Sequence, residues 1–139
     1  MATDEGIGGR SESERIGFRG LVVWQRSKKL AVEIYRVARS GPLTKDFSLR
    51  DQLQRSAVSI CSNIAEGWER DALGDSIRFL QIAKGSSAEL ATQIEIAGEI
   101  GYLEAPAVET FIRECTEISR MLGGLIRTRL ARLNRKSSR

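Results

Sequence analysis

The sequence predicts an all-α protein: an antiparallel, up-down-up-down four-helix bundle that assembles as a homo-oligomer. Apolar residues recur at three- and four-residue spacings in four separate segments, and glycine or proline stands between the segments. No segment shows the polar–apolar alternation of a half-buried strand. The 139 residues form one domain of ordinary size. We divide it into a disordered leader (1–19), the bundle (20–131) and a basic C-terminal tail (132–139).

The first two predicted helices are separated by a clear stop. Helix one begins near Val22 and ends by Gly41, because glycine can adopt the left-handed conformation after a helix and the following proline cannot continue it. Ser48 is the predicted N-cap of helix two, and Gly67 its end. A polar line borders the apolar face of helix two and either faces water or hydrogen-bonds to a neighbouring helix. Its members are Gln52, Arg55, Ser59, Asn63 and Glu66.

The third predicted helix, from about Ala72 to Ile100 with Asp71 as N-cap, carries more apolar surface than one bundle helix needs. Beside its main face runs a second line, which either widens the core face or forms a subunit interface. That line contains Ile82, Glu89, Gln93, Ile96 and Ile100. Helix four begins with Pro106 at its first position and has a single apolar stripe.

Polar residues next to a core face often fix register and stoichiometry rather than perform chemistry. We therefore predict a seam in which side chains of helices two and three hydrogen-bond across helices or subunits, with two isoleucines on the oligomer face. The predicted seam consists of Arg55, Ser59, Asn63, Glu66, Ile82, Glu89, Gln93 and Ile96.

Positive charge is concentrated at the C-terminus. Residues 1–126 hold 16 Lys+Arg against 18 Asp+Glu, whereas residues 127–139 hold six basic residues and no acid. Such a tail can bind nucleic-acid phosphates with release of counterions, or it can serve helix-dipole compensation and solubility. It contains no aromatic residue for base stacking. The candidate nucleic-acid contacts are Arg127, Arg129, Arg132, Arg135, Lys136 and Arg139.

The composition offers little for catalysis, and we predict no catalytic, cofactor or metal site. There is no histidine, so the commonest general base and metal ligand is missing. Cys61 and Cys115 lie on apolar helical faces and are expected to be small buried hydrophobes in a reducing cytoplasm. The N-terminus lacks the apolar core of a signal peptide, and no apolar run reaches membrane-spanning length, so no membrane partner is expected.

Several motifs resemble one known family. They include LVVWQ at 21–25, SNIAEG at 62–67, RFL at 78–80, AEL at 88–90 and GYL at 101–103. On these motifs, over about residues 18–126, the chain resembles the four-helix-bundle proteins found within intervening sequences of bacterial 23S ribosomal RNA genes. Relatives of that family include the accessory variability determinant of diversity-generating retroelements. The chain departs from the family pattern at Gly20, Cys61, Glu69 and Ala72, where Asp, Pro, Gly and Ser are frequent.

The resemblance implies a homopentamer, built as a ring or barrel of bundles. It implies no established biochemical activity for the intervening-sequence members. For the retroelement relatives it implies binding to a reverse transcriptase and, through a basic surface, to nucleic acid. Two main hypotheses follow: a non-enzymatic oligomeric binding module that takes RNA or DNA, or a purely structural scaffold for a partner protein.

Overall fold

The computed structural model describes residues 17–138, and within that range the chain is all-helical, with four long helices and no strand. The helices are α1 (Val22–Val37), α2 (Phe47–Glu69), α3 (Leu73–Glu99) and α4 (Ala105–Ser137). Short 3-10 turns, Gly17–Gly20 and Gly41–Thr44, precede α1 and α2. The predicted all-α fold is confirmed. Residues 1–16 of the predicted leader lie outside the described residues.

Contacts between neighbouring helices show that the bundle is antiparallel. Gly67, late in α2, lies against Ser76, early in α3, whereas the earlier Ser59 contacts the later Ser86. Ser87 of α3 in turn hydrogen-bonds to the backbone of Cys115 in α4. Ion pairing between α1 and α4 closes the bundle, so that each helix packs beside its neighbours in chain order.

The core is aliphatic and runs through all four helices. Burying one such side chain stabilises the fold by about 1.5–3 kcal/mol. The largest fully buried side chains are Leu30, Ile34, Leu43, Leu53, Ile60, Ile64, Leu80, Leu90, Ile94, Ile118 and Leu122. All of them except Leu43, which lies in the 3-10 turn before α2, fall on the helix faces that the three- and four-residue spacing predicts.

The helix starts differ from the predicted caps. The side chain of Asp46, not Ser48, caps α2 by accepting a hydrogen bond from the Leu49 amide at 3.1 Å. The N-cap position of α3 is Ala72, which has no side-chain acceptor, so the predicted cap by Asp71 is wrong.

Two predicted helix ends are also displaced. α1 ends at Val37, ahead of Gly41, which begins the next 3-10 turn. α2 continues through Gly67 to Glu69. This glycine therefore does not end the helix; it lies in a close contact with α3. Gly101 does follow α3 with a φ of +84°, as a glycine after a helix often does.

The last helix is much longer than the first. α4 has 33 residues and is roughly 50 Å long, whereas α1 has 16 residues and is roughly 24 Å long. The final turns of α4 therefore extend beyond α1, and residues 132–137 of the predicted tail continue the helix. Nowhere in 17–138 does a helix combine the length and hydropathy needed to cross a membrane.

Candidate functional site

A small hydrogen-bonded cluster links α2 to α3 within the predicted seam. The hydroxyls of Ser59 and Ser86 are 2.8 Å apart. The side-chain amide of Asn63 donates to the Ser59 carbonyl oxygen at 2.8 Å and to the Ser59 hydroxyl at 3.0 Å. Ser86 is buried, so these bonds satisfy polar groups at the edge of the core. The structure thus brings Ser59 and Asn63 together with Ser86, a buried α3 residue outside the predicted seam.

The other polar residues of the predicted seam do not join this cluster. Glu66 forms an ion pair with Arg70 along α2. Arg55 and Glu89 are exposed, and neither forms an ion pair or side-chain hydrogen bond with another residue of 17–138. The side-chain oxygen of Gln93 is buried and has no hydrogen-bond partner in that range. These four residues are therefore not engaged across helices within the chain.

Two exposed apolar patches lie on different sides of the bundle. On α3, Ile82 and Ile96 are 42% and 45% exposed, and Ile100 continues the same line at 52%. We call these three residues the α3 patch. Val32 and Tyr35 on α1, with Val58 on α2, form a second exposed patch, the α1/α2 patch, beside the half-buried thiol of Cys61. No residue of 17–138 covers either patch.

The C-terminal part of α4 presents a cationic surface, which we define as Arg127, Arg132, Arg135 and Lys136. All four side chains are exposed, and none forms an ion pair with a described residue. At 100° per residue, Arg132, Arg135 and Lys136 fall within about 100° of one another on the helix, whereas Arg127 lies on the opposite side from Lys136, towards α3. Arg139, also predicted as a contact, lies outside the described residues.

Arg129 differs from the other basic residues of α4 because it is only 9% exposed. Its guanidinium lies 4.5 Å from the centre of the Trp68 ring, in a cation–π contact between α4 and the end of α2. Its Nε has no hydrogen-bond partner among the described residues, and burial lowers the pKa of this group. We leave Arg129 out of the cationic surface. In the sequence, the signal for the burial of Arg129 is Trp68, a large aromatic residue near the end of the second helix.

A charged contact that the sequence did not predict joins α1 to α4. The Arg26 guanidinium donates from Nε and Nη2 to the two carboxylate oxygens of Glu114, at 2.7 and 2.8 Å. This two-point hydrogen bonding holds the pKa of Glu114 below its ordinary value. Since the residues are far apart in sequence, only the fold brings them together.

The described residues offer few reactive groups. No three His, Cys, Asp or Glu side chains between residues 17 and 138 are close enough to hold a metal ion. Cys115 is buried, as predicted, and burial raises the pKa of its thiol to about 12. Cys61 is half-buried, and burial raises the pKa of its thiol as well.

The fold and these surfaces define a class: a four-helix bundle with an extended, cationic last helix. Within that class, the model of the 23S rRNA-intervening sequence protein family matches residues 19–124, and the chain belongs to this family. No curated protein matches the chain.

A solved structure shares this fold. It is a protein of unknown function from the S23 ribosomal protein family of Bacteroides thetaiotaomicron, determined at 1.70 Å resolution. The two chains are 29% identical, and the match covers 76% of this chain and 98% of that one, with a TM-score of 0.70. The resemblance inferred from the sequence motifs is therefore confirmed at the level of the family.

Proposed function

We propose that this protein is a non-enzymatic, self-assembling four-helix bundle of the cytoplasm that binds the phosphate backbone of RNA or DNA through the cationic surface of α4. The observation that carries the proposal is the exposure of four basic side chains on one helix without ion pairs to described residues. Residues 118–139 contain basic side chains and no Asp or Glu, so the charge of this segment is positive throughout.

The chemistry of the surface favours backbone binding over base recognition. Lysine and arginine bind phosphates as charges and displace condensed counterions, which makes affinity strongly dependent on salt. There is no aromatic residue after Phe111 on which bases could stack. We therefore expect binding that tolerates any base sequence.

The test removes three charges that form no ion pair with a residue of 17–138. Labelled RNA and DNA oligonucleotides are titrated with the wild type and with the triple variant Arg132→Gln, Arg135→Gln, Lys136→Gln at about 50 and 200 mM salt. The variant should bind more weakly, and its salt slope should fall by about two, since each phosphate contact to a single strand contributes about 0.7.

A matched control removes positive charge elsewhere. Lys45→Gln changes an exposed residue in the turn before α2 and should bind like the wild type. If the wild type shows no binding at low salt, or if the triple variant and the control behave alike, the nucleic-acid role is wrong. The remaining hypothesis is then a structural scaffold for a partner protein.

Self-assembly is supported by the two exposed apolar patches. A ring is built from one surface on each copy that meets a different surface on the next copy. The α3 patch and the α1/α2 patch form such a pair of distinct surfaces on one chain. We propose that these patches meet between neighbouring copies, in the pentameric arrangement that the family resemblance implies.

Native mass measurement tests the assembly. The wild type should have a mass several times the chain mass of 15.4 kDa, and five times for the pentamer. Ile82→Glu with Ile96→Glu should shift the protein to monomers, because each change places a charge in an apolar contact. Val22→Glu, at an exposed apolar residue outside both patches, is the control and should leave the mass unchanged. A wild-type mass near that of one chain would refute self-assembly.

A further inference from the structure

A groove with basic side chains at its rim runs between α3 and α4, away from the extended end of α4. It has a cavity volume of about 400 Å³. Small residues of both helices form its floor, among them Ala88 and Ala91 on α3 and Ser119 and Gly123 on α4. Its rim carries the charged ends of Lys84 on α3 and of Arg120 and Arg127 on α4. Among residues 17–138, no acidic side chain lines it.

Two of the positive charges converge on one point above Gly123. The position that a Cβ atom would occupy on this glycine lies 3.3 Å from Nη1 of Arg127 and 3.9 Å from Nζ of Lys84. Neither side chain forms an ion pair or hydrogen bond with any other residue in the described range. Like charges this close repel each other, and an anion between them would convert that repulsion into attraction.

The remaining groups of the groove complete a site for an oxyanion. Arg120 is paired with Glu117 on its own helix, so its charge is already balanced. The Ser119 hydroxyl lines the groove and makes no hydrogen bond within 17–138, so it is available as a donor. Serine, lysine and arginine donors around a small-residue floor suit the tetrahedral oxygens of a phosphate.

We propose that this groove binds a phosphodiester group of the nucleic-acid backbone between Lys84 and Arg127, with Ser119 as a hydroxyl donor. The inference rests on the proposed nucleic-acid binding and extends the contact from the end of α4 to its middle. Gly123 is part of the site because its missing side chain leaves room for the two cationic ends above it.

Gly123→Ala separates a role in binding from a role in stability. The added methyl group meets only the mobile ends of Arg127 and Lys84, and alanine favours a helix over glycine. The variant should therefore be at least as stable as the wild type in urea, yet bind RNA more weakly because the cations are displaced. Gly124→Ala is the matched control: its methyl group lies in ordinary contact, 3.8 Å from Nη2 of Arg127, and should leave binding unchanged.

The second variant removes one charge. Lys84→Gln should weaken binding of a fluorescein-labelled oligouridylate of about 20 nucleotides roughly tenfold at low salt and lower the salt slope by about one. Lys45→Gln should do neither.

The results distinguish the two proposals. Wild-type protein that binds no RNA overturns both the proposed function and this site. RNA binding that depends on Arg132, Arg135 and Lys136 but is unchanged in Lys84→Gln and Gly123→Ala overturns the groove site alone. Weaker binding in both groove variants, with full stability and normal binding in both controls, supports it.

Discussion

At Gly67 the second and third helices come so close that a methyl group would not fit without movement. A Cβ atom there would lie 3.0 Å from the Ser76 carbonyl oxygen, 3.1 Å from Cβ of Phe79 and 3.2 Å from Cγ of Leu80. The oxygen belongs to the backbone, so relief requires a shift of the helix. Small residues at such positions set the distance between two packed helices.

Gly67→Ala should therefore lower the free energy of unfolding by about 1–3 kcal/mol, because overpacking costs more than the helix propensity that alanine gains. Urea denaturation at a fixed protein concentration measures the change. Gly85→Ala is the control, since a Cβ at that helical glycine meets nothing within 4 Å and should stabilise the protein slightly. A Gly67→Ala variant as stable as Gly85→Ala would contradict the close-contact interpretation.

Ala72 leaves the start of α3 without a side-chain cap. The residue has the extended conformation of an N-cap, with φ −77° and ψ 125°. Ala72→Ser should place a hydroxyl where it can accept a hydrogen bond from the first turn and stabilise the protein by about 1 kcal/mol in urea denaturation. Ala72→Val, which adds bulk without an acceptor, should give no such gain. Equal stability of the serine and valine variants would show that the start of α3 does not need a side-chain cap.

Prediction from sequence is weakest at the scale of single residues. Asp46 and Ser48 can both accept a hydrogen bond from a first turn, and periodicity does not locate that turn to within two residues. Arg129 was predicted as a nucleic-acid contact because it belongs to the basic C-terminal segment, but it is buried and packs on the ring of Trp68. Contacts of this kind depend on where other helices end.

One charged contact supplements the apolar packing of α1 against α4. Far fewer contacts join these two helices than join α2 to α3 or α3 to α4. The Arg26–Glu114 pair is the ion pair that connects α1 and α4 within the described range. Each of its side chains keeps about a third of its surface in water, so its contribution is on the order of 1 kcal/mol.

This pair predicts a dependence of stability on pH. Because Arg26 lowers the pKa of Glu114 in the folded state, the stabilisation is fully present above the ordinary pKa of about 4.5 and is lost as the pH falls through the lowered value. In urea denaturation, Glu114→Gln should be less stable than the wild type at neutral pH, and the difference should shrink below about pH 4.5. Glu95→Gln is the control for the loss of one carboxylate, because Glu95 is exposed on α3 and forms no ion pair with a residue of 17–138. A difference that stays constant to pH 3 would contradict the assignment.

The periodicity of apolar residues predicts where helices form better than it predicts how each helix is rotated about its own axis. The spacing of apolar residues gave four helices and their buried faces, because burial of those faces is what makes the helices stable. It could not decide whether the polar line of α2 faces water, since that depends on how α3 is turned. The structure divides the line: Ser59 and Asn63 bond towards α3, whereas Arg55 and Glu66 do not.

At the scale of the whole molecule, the isoleucines of α3 are apolar surface that residues 17–138 leave exposed. Sequence reasoning found the second apolar line of α3, and the structure leaves its isoleucines exposed. Whether another copy covers them stays a prediction, because the covering residues belong to another chain.

Assembly into a ring predicts that the affinity for a nucleic acid depends on the length of its strand. If copies form a ring, a strand that reaches two cationic surfaces should bind far more tightly than one that reaches a single surface, by a factor of about 10²–10⁴. Oligouridylates of about 10 and 40 nucleotides, compared on the wild type and on the monomeric double-glutamate variant, measure this factor. In the monomeric variant, the length of the oligouridylate should change the affinity only through the number of positions on the strand at which one protein can bind. A wild type with the same weak dependence would contradict multivalent binding.

The length of α4 gives such a ring a direction. Rotation about a single axis never inverts a subunit, so if α4 lies along the ring axis, every copy projects the end of its last helix from the same side of the ring. A polyanion would then be held on that side alone, and the opposite side, where α4 begins, would remain available to a different molecule at the same time.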